Sequence, residues 1–294
     1  MSATALAPRV TAYLRLIRFQ HTLFALPFAY VGMLLAAEGW PGWVTFAWVT
    51  LAMGGARTTA MALNRVIDAR IDALNPRTRT REIPAGVIRR RGALVLAAVG
   101  LVVFTLAGWA LNPLTFALLP VATAFMVLYP YTKRFTWACH LVLGATIGAA
   151  AAGGWIAVTG TFDAPAWWLW LAVAAWIGGF DVIYALLDER FDREHAVQSV
   201  PARFGAQRAR HLAAIAHGVA WAAFAVAAGL TDQGPIGWFG LVAVGALFVY
   251  QHALVARRGA AEALRAFDAN LWVGVLVLSS VALDLAVRVG SPAG

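Results

Sequence analysis

Charge is what this chain has least of. Only 13% of its 294 residues are charged and 61% are hydrophobic. A soluble domain carries about 25% charged and roughly 45–50% apolar residues. So few charged side chains cannot cover a soluble surface, which excludes a soluble enzyme, a disordered chain and a coiled coil. Cysteine is nearly absent too: Cys139 stands alone, so no intrachain disulfide forms. The first 18 residues hold Arg9, Arg15 and Arg18 but no short apolar core ending in a small-residue cleavage site. That start reads as a retained N-terminus rather than a signal peptide. A membrane β-barrel would alternate and be far less apolar. What remains is an all-α integral membrane protein. Acids are scarce as well, 14 against 23 basic residues. In a membrane chain that imbalance reads as cytoplasmic anchoring, with no nucleic-acid partner.

What the chain does have is long apolar runs. A transmembrane helix needs about 20 of them in a row. Nine such stretches occur, at roughly 19–37, 43–64, 92–111, 113–131, 138–159, 165–187, 211–230, 235–256 and 269–287. Trp40, Trp43, Trp167, Trp168 and Trp238 lie near their ends, where amphipathic rings favour the headgroup region. Gly144, Gly148, Gly153 and Gly154 read as helix-packing residues. Connections after odd-numbered stretches are short and lack Lys and Arg; their charges are Glu38, Asp163 and Asp232. Connections after even-numbered stretches are basic: Arg65 to Arg91, Lys133 and Arg134, Arg190 to Arg210, and Arg257, Arg258 and Arg265. The positive-inside rule then predicts an inner-membrane protein with a cytoplasmic N-terminus and an external C-terminus.

The acids carry the most information. The second stretch ends Asn64-x3-Asp68-x3-Asp72, and the sixth ends Tyr184-x3-Asp188-x3-Asp192, with Asp181 one turn earlier. On a helix, residues at i, i+4 and i+8 share a face. The two stretches run in the same direction, so both Asp pairs reach the cytoplasmic boundary. This predicts one domain over 1–294 with a parallel four-helix repeat, halves at roughly 10–131 and 138–256, and an added helix at 269–287. One Asp at such a boundary is ordinarily a solvated helix end. Two matched sets beside many arginines call for compensation by a ligand. Mg²⁺ is held by one or two carboxylates plus substrate phosphates. Arginine and lysine take the remaining phosphate charge, and the cytoplasmic face therefore suits a diphosphate.

These residues resemble the paired signatures of the UbiA superfamily of intramembrane aromatic prenyltransferases. Phe19-x-His21-Thr22-x-Phe24-Ala25-Leu26-Pro27, Arg57, Asn75-Pro76-Arg77-Thr78, Tyr129-Pro130-Tyr131-x-Lys133-Arg134 and Ser199-x-Pro201-Ala202-Arg203-Phe204-Gly205 match as well. The resemblance implies nine helices around a central cavity. It implies transfer of a polyprenyl group from its diphosphate to an aromatic hydroxy acid in ubiquinone or menaquinone biosynthesis, with two Mg²⁺ ions. Asn64, Asp68 and Asp72 would bind one ion, and Asp188 and Asp192 the other. Members acting on 4-hydroxybenzoate often carry an extra Asp where Phe191 stands and Lys where Gln198 stands. The Asn64-Arg65 and Pro201-Ala202-Arg203 runs look more like the menaquinone-associated branch. The acceptor is thus 4-hydroxybenzoate or a dihydroxynaphthoate.

Single residues have competing readings. Arg57, inside the second stretch, either holds the acceptor carboxylate or a phosphate, or pairs with Asp181 or a carbonyl. Asp181 orients the acceptor hydroxyl, accepts the ring proton, or pairs with Arg57. Lys133 and Arg134 contact diphosphate rather than serving only as anchors. One or more of Arg77, Arg79 and Arg81 does the same. Tyr184 orients the reacting group, and His21 either faces the acceptor or is a satisfied packing histidine. Arg89, Arg90 and Arg91 anchor to lipid headgroups. The other histidines have no metal-ligand spacing. A secondary transporter is the rival class, but its coupling sites lie near the midplane. A phosphatidyltransferase-like enzyme would need an Asp-Gly-Ala-Arg core that is absent.

Overall fold

The structure, a computed structural model, describes residues 11–17 and 22–290. No strand occurs among them. After a helical segment at 11–16, the chain forms α1 (Thr22–Ala36), α2 (Trp43–Leu74), α3 (Arg90–Leu111), α4 (Pro113–Thr132), α5 (Cys139–Thr159) and α6 (Ala164–Ala185). A 3₁₀ turn (Leu186–Asp188) leads into α7 (Glu189–Glu194). Then come α8 (Val200–Leu230), α9 (Pro235–Arg258), α10 (Ala263–Ala269) and α11 (Leu271–Gly290). Among the described residues, seven helices are long and apolar enough to cross a membrane. All-α membrane architecture follows from that.

Local chemistry sets the boundaries. Pro113 and Pro235 open their helices, where the missing N–H costs nothing. Asn112 joins α3 to α4 by itself. Its Oδ1 accepts from Thr115 N at 2.8 Å, while its Nδ2 donates to Ile156 O at 2.7 Å on α5. Two helices exceed the apolar stretches that announce them. α2 runs on from residue 64 to Leu74, and α8 begins at Val200, broken at Gly205, rather than at residue 211. Hydropathy marks only the membrane portion; a helix continues until a breaker stops it, here Asn75-Pro76. Arg65, expected in a basic loop, is therefore inside α2, buried, with Nε donating to Leu16 O at 3.4 Å.

The second Asp motif departs from its expected form. The sixth stretch does not stay helical through Asp188: α6 ends at Ala185 and tightens into the 3₁₀ turn. Asp188 itself sits at φ −110°, ψ 4°. Asp68 and Asp72 thus share one continuous helix face, whereas Asp188 and Asp192 are offset from Asp181 and Tyr184 by a break. No Gly or Pro marks it in the sequence.

Small residues let the central helices touch. A Cβ on Gly144 would lie 2.2 Å from Ala174 O of α6, and one on Gly154 would lie 2.0 Å from Ala29 O of α1. Backbones this close gain van der Waals contact that lipid cannot supply. Gly153 has nothing within 4 Å and is not an interface residue, contrary to its expected role. Trp176 is fully buried against Phe28, with ring centroids 4.9 Å apart, and its Nε1–H reaches Asn270 Oδ1 at 2.8 Å. That hydrogen bond satisfies the indole deep in the bundle. Val95, Val99, Val102 and Leu106 of α3 point outward, as a lipid-facing stripe does. Trp40, Trp43, Trp167, Trp168 and Trp238 are exposed, as their positions predicted. At the end holding the short connections, buried Asp284 of α11 caps α9, accepting from Gly234 N at 2.7 Å and Gly237 N at 3.2 Å. The opposite end holds the acidic motifs.

Candidate active site

Five chain segments converge at that end. α2 delivers Asn64, Asp68 and Asp72. The 75–89 loop delivers Asn75, Arg77 and Arg81. The end of α4 delivers Lys133 and Arg134, α6 delivers Asp181 and Tyr184, and the following turn and α7 deliver Asp188 and Asp192.

Each acid of the two motifs is met from another segment. Asp68 is 1% exposed. Its Oδ2 accepts from Asn64 Nδ2 at 2.8 Å and from Lys133 Nζ at 2.6 Å. Arg134 is 3.6 Å from its Oδ1, while donating to Ile67 O at 2.8 Å. Asp72 pairs through Oδ1 with Arg81 at 2.6 Å. Asp188 takes a two-pronged contact from Arg77 and a hydrogen bond from Asn75 Nδ2 at 3.0 Å. Such fork-on-carboxylate geometry fixes direction as well as distance. The Asn75 side chain also accepts from Arg77 N at 2.9 Å, a local turn that aims the arginine. Arg77 lies over the Tyr184 ring, 4.8 Å from its centroid, and donates to the Tyr184 hydroxyl. Burial works against the Arg77 charge, but Asp188 and Tyr184 outweigh it and hold the guanidinium above its ordinary pKa. Asp192 is buried beside the Ser199 hydroxyl.

Four carboxylates therefore stand among Arg77, Arg81, Lys133 and Arg134. The cluster is close to neutral as it stands. It can take up a polyanion only if a cation comes too. The donor chemistry fits a hard divalent ion such as Mg²⁺: Asp68 Oδ1 and Asp72 Oδ2 are buried and accept no hydrogen bond. A buried carboxylate oxygen with no donor is costly. Two of them, one turn apart on α2, offer the oxygens that Mg²⁺ prefers. Among the described residues no three His, Cys, Asp or Glu side chains already converge on one point. The two motifs face each other through their basic partners rather than directly.

The remaining sequence-predicted residues are placed as follows. Arg57 is half-buried on α2. Its charge acts on Tyr129, as do those of Arg65, Asp68 and Asp181. That common neighbour puts Arg57 and Asp181 in one region of the bundle. Of the three loop arginines, Arg77 pairs with Asp188 and Arg81 with Asp72, while Arg79 is exposed. His21 lies outside the described residues. The partner of Asp181 is one the sequence did not single out. His140, at the start of α5, places Nδ1 2.6 Å from Asp181 Oδ2. A lone histidine next to Cys139 carries no spacing signal, and the two residues are 41 positions apart.

Comparison with known proteins shows the family and the fold. The UbiA prenyltransferase family profile matches residues 25–274. The chain is 33% identical over 289 residues to 4-hydroxybenzoate octaprenyltransferase of Alkalilimnicola ehrlichii, covering 97% of this chain and 98% of that one. It is 30% identical to the enzyme of the same name from Shewanella sediminis, covering 95% and 98%. Among solved structures, a UbiA homolog from Aeropyrum pernix superposes with a TM-score of 0.83 at 30% identity, over 90% of this chain and 98% of that one. A UbiA homolog from Archaeoglobus fulgidus bound to GPP and Mg²⁺ shares the fold at a TM-score of 0.67 and 17% identity, over 91% and 99%.

Proposed function

The chain belongs to the UbiA prenyltransferase family, and from that premise we propose that it transfers a polyprenyl group from polyprenyl diphosphate to 4-hydroxybenzoate, in ubiquinone biosynthesis. The observation that carries the reading is the cluster itself: two Asp motifs from separate helices, each neutralised by cations of the kind that bind phosphate. The names of the full-length relatives support 4-hydroxybenzoate over a dihydroxynaphthoate.

Asn64, Asp68 and Asp72 would hold one Mg²⁺, and Asp188 and Asp192 a second. When bound, the metal neutralises the diphosphate and makes it a better leaving group. Arg77, Arg81, Lys133 and Arg134 give up carboxylate partners and take phosphate oxygens, stabilising the charge that develops as the allylic C–O bond breaks. Asn64 keeps Asp68 oriented while Lys133 is engaged. The allylic carbon then bonds to the ring carbon ortho to the acceptor hydroxyl, and the ring proton passes to the released pyrophosphate, restoring aromaticity. Arg57 holds the acceptor carboxylate. Asp181 accepts the hydrogen bond of its hydroxyl, which enriches the ring in electrons. Tyr184 packs on Phe267, ring centroids 5.0 Å apart. Their faces stabilise the cationic carbon and keep water from it.

The same reading assigns nine spans around a cavity, adding α1 and α2 to the seven apolar helices. α2 has 32 residues, about 48 Å of helix at 1.5 Å per residue. It can cross and still project its acids beyond the bilayer. The repeat is parallel, the N-terminus and active site face the cytoplasm of an inner membrane, and the C-terminus lies outside. The prenyl chain reaches the site from membrane lipid.

The direct test gives purified protein geranyl diphosphate, Mg²⁺ and either 4-hydroxybenzoate or 1,4-dihydroxy-2-naphthoate, with products separated by mass spectrometry. Prenylated 4-hydroxybenzoate is expected. Product from the naphthoate alone reassigns the acceptor, and no product from either sinks the enzyme reading.

A further inference from the structure

We infer that His140 is the positioning residue for Asp181, locked by the start of α8 into a single tautomer that holds this carboxylate toward the acceptor. The assignment rests on the prenyltransferase reading, and it names a residue that neither motif contains.

The two ring nitrogens of His140 have different partners. Nδ1 lies 2.6 Å from Asp181 Oδ2. Nε2 accepts the backbone N–H of Val200 at 3.2 Å. A nitrogen that accepts a hydrogen bond has its lone pair free and carries no proton. The proton of a neutral imidazole must then sit on Nδ1, where it is donated to Asp181. Val200 is the first residue of α8, following its Ser199 cap. Its N–H is one of the groups a helix leaves unpaired at its start, so His140 completes that terminus. Turning the ring over would break both bonds at once.

Burial points the same way. His140 is 4% exposed, whereas the Asp181 side chain is 27% exposed. One end of the pair is anchored in protein and the other opens toward the site. Asp181 Oδ2 is occupied by the histidine, which leaves Oδ1 for the acceptor. The anchor also reaches the acidic cluster. Gln198 N donates to Lys133 O at 2.7 Å, and Cys139 Sγ lies 3.3 Å from Gln198 O. Ser199, between Gln198 and Val200, meets Asp192. Residues 198–200 therefore tie the lysine that neutralises Asp68, the second acidic motif and the His140–Asp181 pair into one frame. A substrate hydroxyl on Asp181 and a diphosphate near Lys133 are held in fixed relation by it. Fixed relation is what a bond between two bound substrates requires.

The test compares three substitutions. His140→Asn places an amide N–H where Nδ1–H stands. His140→Gln reaches the Nε2 position instead, and His140→Leu supplies no donor. Steady-state kinetics are measured in nanodiscs, varying 4-hydroxybenzoate and geranyl diphosphate separately. Expected is a loss of about 10–100-fold in kcat/KM for the acceptor in the Gln and Leu variants, the range for removing an orienting partner. The Asn variant recovers most of it, and KM for geranyl diphosphate stays within about twofold throughout. Nitrogen-15 NMR of the wild-type protein is the readout that needs no variant to fold: it should show His140 neutral with the proton on Nδ1. A protonated Nε2, equal losses in all three variants, or a loss seen equally in the geranyl diphosphate KM overturns the proposal. A wild-type protein without product from any acceptor overturns the function itself, and the acceptor role falls with it; variants that fail where wild type succeeds leave the function standing.

Discussion

Asp68 shares one oxygen between Asn64 and Lys133 and leaves the other without a hydrogen-bond donor. That asymmetry sets up opposed expectations for its neighbours. Asp68→Asn or Asp72→Asn should lower prenyl transfer by about 100-fold, because on the proposed mechanism each loses an oxygen meant for Mg²⁺. Thermal stability should hardly fall, since a buried charge goes with the ligand. Lys133→Met does the reverse: it strips the neutralising partner from a carboxylate that is 1% exposed. Leaving a buried charge short of a partner costs about 1–3 kcal/mol, so the melting temperature in detergent should drop along with turnover. Exposed Arg79 is the control. Arg79→Ala should leave kcat/KM within about twofold, as surface changes usually do. If Lys133→Met melts like wild type, the ion pair is not what balances Asp68. At this scale the sequence told much. The spacing of Asn64, Asp68 and Asp72 marked them because they share a helix face on which the two acids, four residues apart, repel and need a reason. His140 went unmarked because its significance lies in where residues 181 and 200 come to rest.

At the scale of elements, the segment from Ala185 to Gly205 departs most from regular helix. It holds a 3₁₀ turn, a six-residue helix, and a kink at Gly205 with φ 80° and ψ 160°. Such a backbone is open almost only to glycine, and another residue pays about 1–3 kcal/mol there. Gly205→Ala should therefore lower the melting temperature and shift Ser199 and Val200, reducing turnover with no loss of a catalytic group. Circular dichroism melts and kinetics on the same preparation check both halves; unchanged values in both refute it. Gly144→Val tests packing instead. Its Cβ would stand 2.2 Å from a backbone oxygen of α6, so α5 and α6 must separate. Overpacking costs about 1–3 kcal/mol or more, and the folded yield should fall accordingly. Gly153→Val, facing open space, should not lower it. Hydropathy located the membrane portion of each helix, but could not see α2 and α8 extending past it. It also missed the break after Ala185, which has no local breaker residue and comes with contacts from Asn75 and Arg77.

Taken as a whole, the molecule has two unlike ends. One holds short connections, exposed tryptophans and the Asp284 cap on α9; the other collects the acids and their basic partners. The proposed orientation follows from that polarity and is open to direct measurement. In a Cys139→Ser background, a membrane-impermeant maleimide should label Thr161→Cys from outside intact cells. Arg79→Cys should react only after permeabilisation. The opposite pattern reverses the topology and moves the site to the far side. The sequence by itself determined the membrane class, the sites of the apolar spans, the alternation of basic connections with ones lacking Lys and Arg, and the matched spacing of the two Asp motifs. Those follow from composition and from spacing within single helices, which are local properties. Tertiary structure alone decided that Lys133 answers Asp68, Arg81 answers Asp72 and Arg77 answers Asp188, and that His140 holds Asp181. Partners 9 to 111 residues apart are matched only when packed helices bring them within hydrogen-bond reach, and no periodicity in the chain encodes that distance.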